Sequence, residues 1–271
     1  MSGVGGKDRA PEAAEKPASN LALRRRYLTS PSNHALVAHL FKAAFKQHHK
    51  EDLPILRRLI PPDGIVFDVG AHAGQYAKLF ARIAERGFVF AFEPGSYART
   101  VLRAAIMLNR INNVAIVPLA LGSRAGAASL AMPVKSSGSY GFGLSHLGPA
   151  DPARPVRSEL VGIATLDEVT AVLGLDRLDF IKADIEGWEL QLLRGGRATL
   201  ARFKPAIFLE MNRAQFARAG DDLDAAWSFL TELGYRPHRA GTGGSLAPLE
   251  APSEGDIWWL PPESRTGQSG G

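Results

Sequence analysis

The sequence predicts a doubly wound α/β fold, a mostly parallel sheet with helices on both faces. Three observations carry that prediction. Short apolar runs alternate with helix-length segments from Gly64 onward, a glycine-rich turn follows the first run, and an acidic residue ends the second. Residues 65–69 (IVFDV), 88–92 (FVFAF), 114–118, 178–183 and 206–210 read as strands, with a late apolar strand at 257–260. Continuous apolar character in so short a strand marks a parallel sheet covered on both sides. Between them, residues 76–86, about 97–109, 188–200 and 222–233 carry helical spacing, the first ending at Gly87 and the last closed by Gly234. Right-handed crossovers then make the doubly wound order the economical topology.

The flanks read differently. Residues 1–20 and 263–271 are rich in Gly, Ala, Ser, Pro and charge with little to bury, and are expected to be unstructured. Residues 21–60 read as a helical extension on a main domain at 61–262. Asn33 caps a helix to about His48 with Leu36, Leu40, Phe41, Ala44 and Phe45 on one face, and a shorter helix at 53–59 stops before Pro61-Pro62. These two helices would form a lid or a flank. Residues 132–158 break the alternation with Gly, Ser and Pro and read as an inserted loop or lid.

Composition narrows the function classes. The 271 residues are 45% hydrophobic and 22% charged, an ordinary globular balance. No apolar run approaches the ~20 residues of a membrane span, and the start of the chain has neither a secretory core nor a myristoylation signal. Absence of cysteine excludes disulfides, thiolate metal sites and a cysteine nucleophile, and suits a reducing cytoplasm. The net charge of +5 is uneven: residues 1–60 hold 11 Lys/Arg against 5 Asp/Glu, whereas the remaining 211 hold 21 against 22. The main body is therefore close to neutral, which argues against a nucleic-acid face.

The chemistry lies in the loops after the strands. Ligands on doubly wound sheets sit at the carboxyl ends of the strands. There the first loop reads Asp68-Val69-Gly70-Ala71-His72-Ala73-Gly74. Gly70 and Gly74 permit a tight turn and close approach of a ligand, and the following helix offers free N–H groups to an anion. The loop lacks the three-glycine dinucleotide fingerprint, and Asp68 would repel a pyrophosphate. A carboxylate there suits a cofactor bearing an ammonium or a sulfonium, and S-adenosylmethionine bears both. An ordinary strand–turn–helix loop would look similar. Glu93, about 20 residues beyond the turn in Phe-Ala-Phe-Glu-Pro, separates the two, because an acid at that strand end can accept both ribose hydroxyls. Pro94 then stops the strand.

With residues 181–189 (IKADIEGWE), these motifs resemble the FkbM-type family of class I methyltransferases, which have a Rossmann-like fold. The family pattern joins a VFDVGAN-like first loop, an FEP, a TLD and an IKxDxEGxE segment. This chain shows residues 66–76, 92–94, 165–167 and 181–189 at those places. The resemblance runs roughly from residue 64 to 209, with a weaker echo at Gly234-Tyr235. It implies a seven-stranded sheet with an antiparallel last strand and S-adenosylmethionine-dependent methylation of a hydroxyl on a small or sugar-like acceptor. A cofactor site of Asp68, Gly70, His72, Gly74, Tyr76, Glu93, Pro94, Ala120 and Asp184 follows. His72 departs from the family, which has Asn or Gly there. It could donate to cofactor or substrate, or be a solvent-facing turn residue.

Methyl transfer is an in-line displacement helped by alignment and by removal of the hydroxyl proton. Asp184 and Glu186 are the candidate catalytic residues. Alternatively Asp184, Glu210 and Asn212 surround one point and bind a hard divalent cation through oxygen. Glu186 and Glu189 also suit the start of the next helix. Tyr140, Phe142 and His146 in the inserted loop, and Glu210, are the candidate substrate contacts, and His238 reads as a surface residue. An N-methyltransferase, an RNA-directed enzyme, a nicotinamide dehydrogenase and a non-catalytic cofactor-binding module are the competing readings. The run Asp184-Ile185-Glu186-Gly187 replaces the Asn/Asp-Pro-Pro-aromatic segment that nucleic-acid amino-methyltransferases use.

Overall fold

A computed structural model of the protein describes residues 33–133, 146–147 and 156–262. The expected unstructured termini, together with Tyr140 and Phe142, lie outside the described residues, as does the side chain of His146. Helices α1 (Asn33–Phe45) and α2 (Leu53–Leu59) precede the alternating core. There follow β1 (Ile65–Val69), α3 (Gln75–Ile83), β2 (Phe88–Phe92), α4 (Ser96–Leu108) and β3 (Val114–Val117). Next come β4 (Leu119–Leu121), β5 (Gly126–Pro133), β6 (His146–Leu147) and β7 (Val156–Ala164). The C-terminal half holds α5 (Leu166–Val172), β8 (Phe180–Ala183), α6 (Glu189–Arg194), α7 (Arg197–Phe203), β9 (Ala206–Met211), α8 (Arg213–Arg218) and α9 (Leu223–Glu232). Strands β10 (Arg236–Ala240), β11 (Leu246–Pro248) and β12 (Gly255–Leu260) complete it.

The main sheet runs β11-β10-β12-β9-β8-β1-β2-β3. Strands β1, β2, β3, β8 and β9 pair in parallel, and β12 joins β9 antiparallel. The doubly wound α/β prediction therefore holds, with the last strand reversed as expected. Eight strands replace the expected seven because the short β11 adds itself antiparallel beyond β10. Two apolar cores flank the sheet. On one face Val66, Phe180, Phe208 and Trp258 pack beneath Ile55, Leu56, Tyr76 and Phe80 of α2 and α3. On the other, Phe67, Ile181, Leu209 and Trp259 pack against Leu190, Leu192, Phe216, Trp227 and Leu230.

Several boundaries differ from the sequence reading for identifiable reasons. The expected helix over 188–200 is two helices, α6 and α7, split at Gly195-Gly196, the residue type least favourable inside a helix after proline. The ends of the expected loop 132–158 are strand: β5 reaches Pro133 and β7 begins at Val156, and the two pair antiparallel over eight positions. With β4 and β6 they form a second sheet in the order β4-β7-β5-β6. Helix α1 packs mainly on α4, so it is a flank. The TLD segment is architectural: Thr165 closes a capping box with Glu168 on α5, while the Asp167 carboxylate accepts the Ala198 and Thr199 N–H groups at the start of α7. His238 is half-buried in β10, its Nδ1 3.0 Å from the Arg236 carbonyl oxygen.

Candidate active site

A cleft of about 390 Å³ opens at the carboxyl ends of β1, β2 and β8. Its floor is the glycine loop, and Leu119, Ala120, Leu121, Leu130 and Leu147 of the second sheet wall one side. The structure thus brings Asp68, Gly70, His72, Tyr76, Glu93, Pro94, Ala120, Asp184, Glu186 and Glu210 to one cleft. Gly74 is not among the lining residues and takes the left-handed conformation that starts α3.

Sheet register explains the arrangement. Asp68 lies opposite Lys182, Lys182 opposite Phe208, and Phe208 opposite Trp258. One step toward the carboxyl ends, Glu210 lies opposite Asp256, and Asp184 continues β8 with its N–H donated to the Val69 carbonyl. Alternate residues share a face, so Asp68, Lys182, Asp184, Glu210 and Asp256 all face the α3 side.

Asp68 is 1% exposed, and neither of its oxygens meets a hydrogen-bond donor among the described residues. Burial raises its carboxyl to about 6, with the Lys182 ammonium opposing the rise and the Asp184 charge adding to it. Glu93 is better supplied: Oε2 accepts the His72 N–H at 2.9 Å and Oε1 the Gly95 N–H at 2.8 Å. Burial nonetheless lifts it to about 7. Gly70 and Ala71 N–H both donate to the Phe92 carbonyl, which ties the glycine loop to the strand that ends in Glu93.

His72 is not a solvent-facing turn residue. It adopts a left-handed φ of 50°, lines the cleft and buries its Nε2. Burial, reinforced by the Lys182 charge, lowers its imidazole to about 4, so it is neutral near pH 7. Tyr76 presents its ring, since its hydroxyl donates to Asp52 at 2.8 Å and His49 stacks on it at 4.4 Å.

Lys182, which the sequence reading left without a role, is central. Its Nζ is 3.2 Å from Asp184 Oδ2 and 5.1 Å from the centre of the Tyr76 ring. Burial works against its charge, yet Asp184 and Asp68 outweigh that and hold the ammonium above its usual range. Lys182 in turn holds Asp184 below the usual carboxylate range. The carboxyls of Asp184 and Glu210 share a hydrogen bond, and burial together with that bond raises Glu210 to about 7. Of the two, Glu210 is the carboxyl that holds the shared proton below about pH 7. A lysine inside a four-residue, fully buried strand was the signal that could have singled it out.

Two expectations need correction. Asn212 does not join Asp184 and Glu210, because its side chain caps α8 by accepting the Ala214 and Gln215 N–H groups at 3.0 and 3.2 Å. Among the described residues no group of three or more His, Cys, Asp or Glu side chains is placed to hold a metal ion. Glu186 lines the cleft, but its carboxylate is drawn toward α8, accepting from Gln215 Nε2 at 3.0 Å and Arg218 at 3.2 Å. Glu189 does serve the start of the next helix, accepting the Ile185 N–H at 2.9 Å. His49 and Gln75 also line the cleft. No motif marks them; the fold of the N-terminal extension brings His49 there.

Over 162 residues the chain is 24% identical to the 2-O-methyltransferase NoeI of Sinorhizobium fredii, covering 57% of this chain and 65% of that protein. Over 206 residues it is 26% identical to the AMB antimetabolite synthetase AmbE of Pseudomonas aeruginosa, 65% of this chain and 10% of that protein. It thus spans less than two thirds of either relative. The methyltransferase FkbM structure from Methylobacillus flagellatus aligns with a TM-score of 0.48 and 14% identity, covering 83% of this chain and 58% of that one. The methyltransferase FkbM domain matches residues 68–237, a span that contains Asp68, Glu93, Lys182, Asp184 and Glu210. With more than half of its length in that match, the chain belongs to the FkbM methyltransferase family.

Proposed function

We propose that the protein transfers a methyl group from S-adenosylmethionine to a hydroxyl of a small, sugar-like acceptor. Asp68 carries the reading. A carboxylate sealed from water, with no donor on either oxygen among the described residues, is costly unless a ligand completes it. The residues present fit the cofactor. Asp68 would meet its ammonium, the start of α3 its carboxylate, and Glu93 its ribose hydroxyls. When bound, the cofactor supplies a methyl group on a sulfonium, a carbon already activated for displacement. The chain's own task is then to align the acceptor oxygen and take its proton. Asp184 is the charged carboxylate at the cleft with the rest of its surroundings fixed. A hydroxyl as acceptor is supported by likeness to a 2-O-methyltransferase, and a small acceptor in place of nucleic acid by the near-neutral body of the chain.

Calorimetric titration of the full chain with S-adenosylmethionine tests this. One equivalent is expected to bind, and Glu93→Ala is expected to weaken binding by about tenfold or more, ~1.4 kcal/mol. Absence of binding to the unsubstituted protein, or unchanged affinity in the variant, would overturn the reading.

A further inference from the structure

Lys182 sits where four strands and a helix converge. Asp68 faces it from β1, Asp184 from its own strand, Glu210 from β9 and Asp256 from β12. Tyr76 of α3 covers it, His72 of the glycine loop lies within electrostatic range, and His49 and Asp52 close the far side above Tyr76. The Lys182 side chain is 5% exposed, whereas that of Asp184 is 42% exposed toward the cleft. Both side chains border the cleft, and the carboxylate is the more open of the two to a substrate. A buried charge of this kind is retained at a site where it does something for its neighbour, because packing alone is better served by an apolar side chain.

We propose that Lys182 is the positioning residue of proton transfer: its ammonium grips Asp184 from one side and Glu210 hydrogen-bonds it from the other, so that Asp184 receives the acceptor's hydroxyl proton. This rests on the reading of the cleft as a methyl-transfer site. The acceptor oxygen forms its bond to the methyl carbon while the carbon–sulfur bond breaks, leaving both electrons on sulfur. The hydroxyl proton moves to Asp184. The Asp184–Glu210 pair then holds two protons until one is returned to water. Lys182 orients the receiving oxygen and keeps it charged between turnovers, and the proton already on Glu210 keeps the pair from carrying two negative charges.

Carboxyl-carbon NMR of the full-length protein, labelled in its Asp side chains, reads this without any acceptor. Asp184 is expected to titrate below the ordinary carboxylate range, with a second, smaller step near pH 7 as Glu210 gives up the shared proton. Lys182→Met should raise the main Asp184 step by about one pH unit or more, and Lys182→Arg should restore it. Glu210→Gln should erase the second step and leave the first. An Asp184 titration unmoved in Lys182→Met, or a second step surviving in Glu210→Gln, would overturn the proposal. S-adenosylhomocysteine affinity, measured by calorimetry, should stay within about threefold in Glu210→Gln and in the charge-keeping Lys182→Arg, and a loss in Lys182→Arg would instead make Lys182 part of the cofactor cradle and refute the positioning role. Failure of the unsubstituted protein to bind S-adenosylhomocysteine would refute the underlying methyl-transfer reading, an outcome separate from the titrations.

Discussion

Gly70→Ala is expected to destabilise the protein by about 3–5 kcal/mol in equilibrium urea unfolding and to abolish S-adenosylmethionine binding. Two independent terms add at this position. The residue has a φ of 77°, where a β-carbon meets the carbonyl geometry that disfavours left-handed backbone by ~1–2 kcal/mol. That β-carbon would also stand 2.2 Å from the Asp184 carbonyl oxygen and 2.9 Å from Ile185 Cγ2. The first of these neighbours is backbone and cannot rotate away, so either β8 or the glycine loop must move. Movement of β8 carries Asp184 with it, and movement of the loop breaks the Gly70 and Ala71 bonds to Phe92 that set the position of Glu93. Gly74→Ala is the contrasting control. It shares the left-handed φ at 78°, but its β-carbon would meet the Leu102 side-chain terminus at 2.4 Å. A terminal methyl can turn aside, so a loss of about 1–2 kcal/mol with binding retained is expected there. Equal losses at the two positions would show that strain, and not the contact with Asp184, dominates at Gly70.

The same contact shows how much of the site the sequence could disclose. Glu93 is separated from Asp68 and Gly70 by a whole strand–helix unit, yet the spacing is dictated by the β1–α3–β2 crossover, so motif reading picked out all three. The sheet order followed from the same regularity. Lys182 escaped because its meaning lies in register: facing Asp68 across β1 is a property of strand pairing that one segment cannot express. His49 escaped for a different reason, since it precedes the domain and reaches Tyr76 through the packing of α2 on α3. The second sheet was missed because β5, Gly-Ala-Ala-Ser-Leu-Ala-Met-Pro, has weak intrinsic strand preference, and its long antiparallel pairing with β7 supplies what its residues lack. Asn212 was misassigned by proximity. It follows Glu210 by two residues, but the start of α8 claims its side chain as a cap, and a cap cannot also be a ligand oriented into the cleft.

Glu189 makes the protein's stability depend on pH in a direction opposite to that of a salt-bridged acid. Its side chain is fully buried, one oxygen accepts the Ile185 N–H, and the other has no partner among the described residues. Its place in the first turn of α6 favours a negative charge, but burial dominates and raises the carboxyl to about 8, with Asp184 and Glu210 adding to the effect. The unfolded chain ionises this group near the ordinary glutamate value, about 4.3. Between the two values the unfolded state binds fewer protons than the folded one, so stability is full below the lower value and falls as pH rises toward the upper. Glu189→Gln keeps the shape and the acceptor for Ile185 but has no proton to lose. It is expected to match the unsubstituted protein within about 1 kcal/mol at pH 5, and to exceed it by about 3 kcal/mol at pH 8.5. Asp68 and Glu93 are raised as well, but they remain in both proteins and cancel in the difference. Paired urea titrations at the two pH values measure that difference, and one independent of pH would mean that Glu189 is ionised in the folded protein, with water reaching the oxygen that the packing of α6 leaves without a partner.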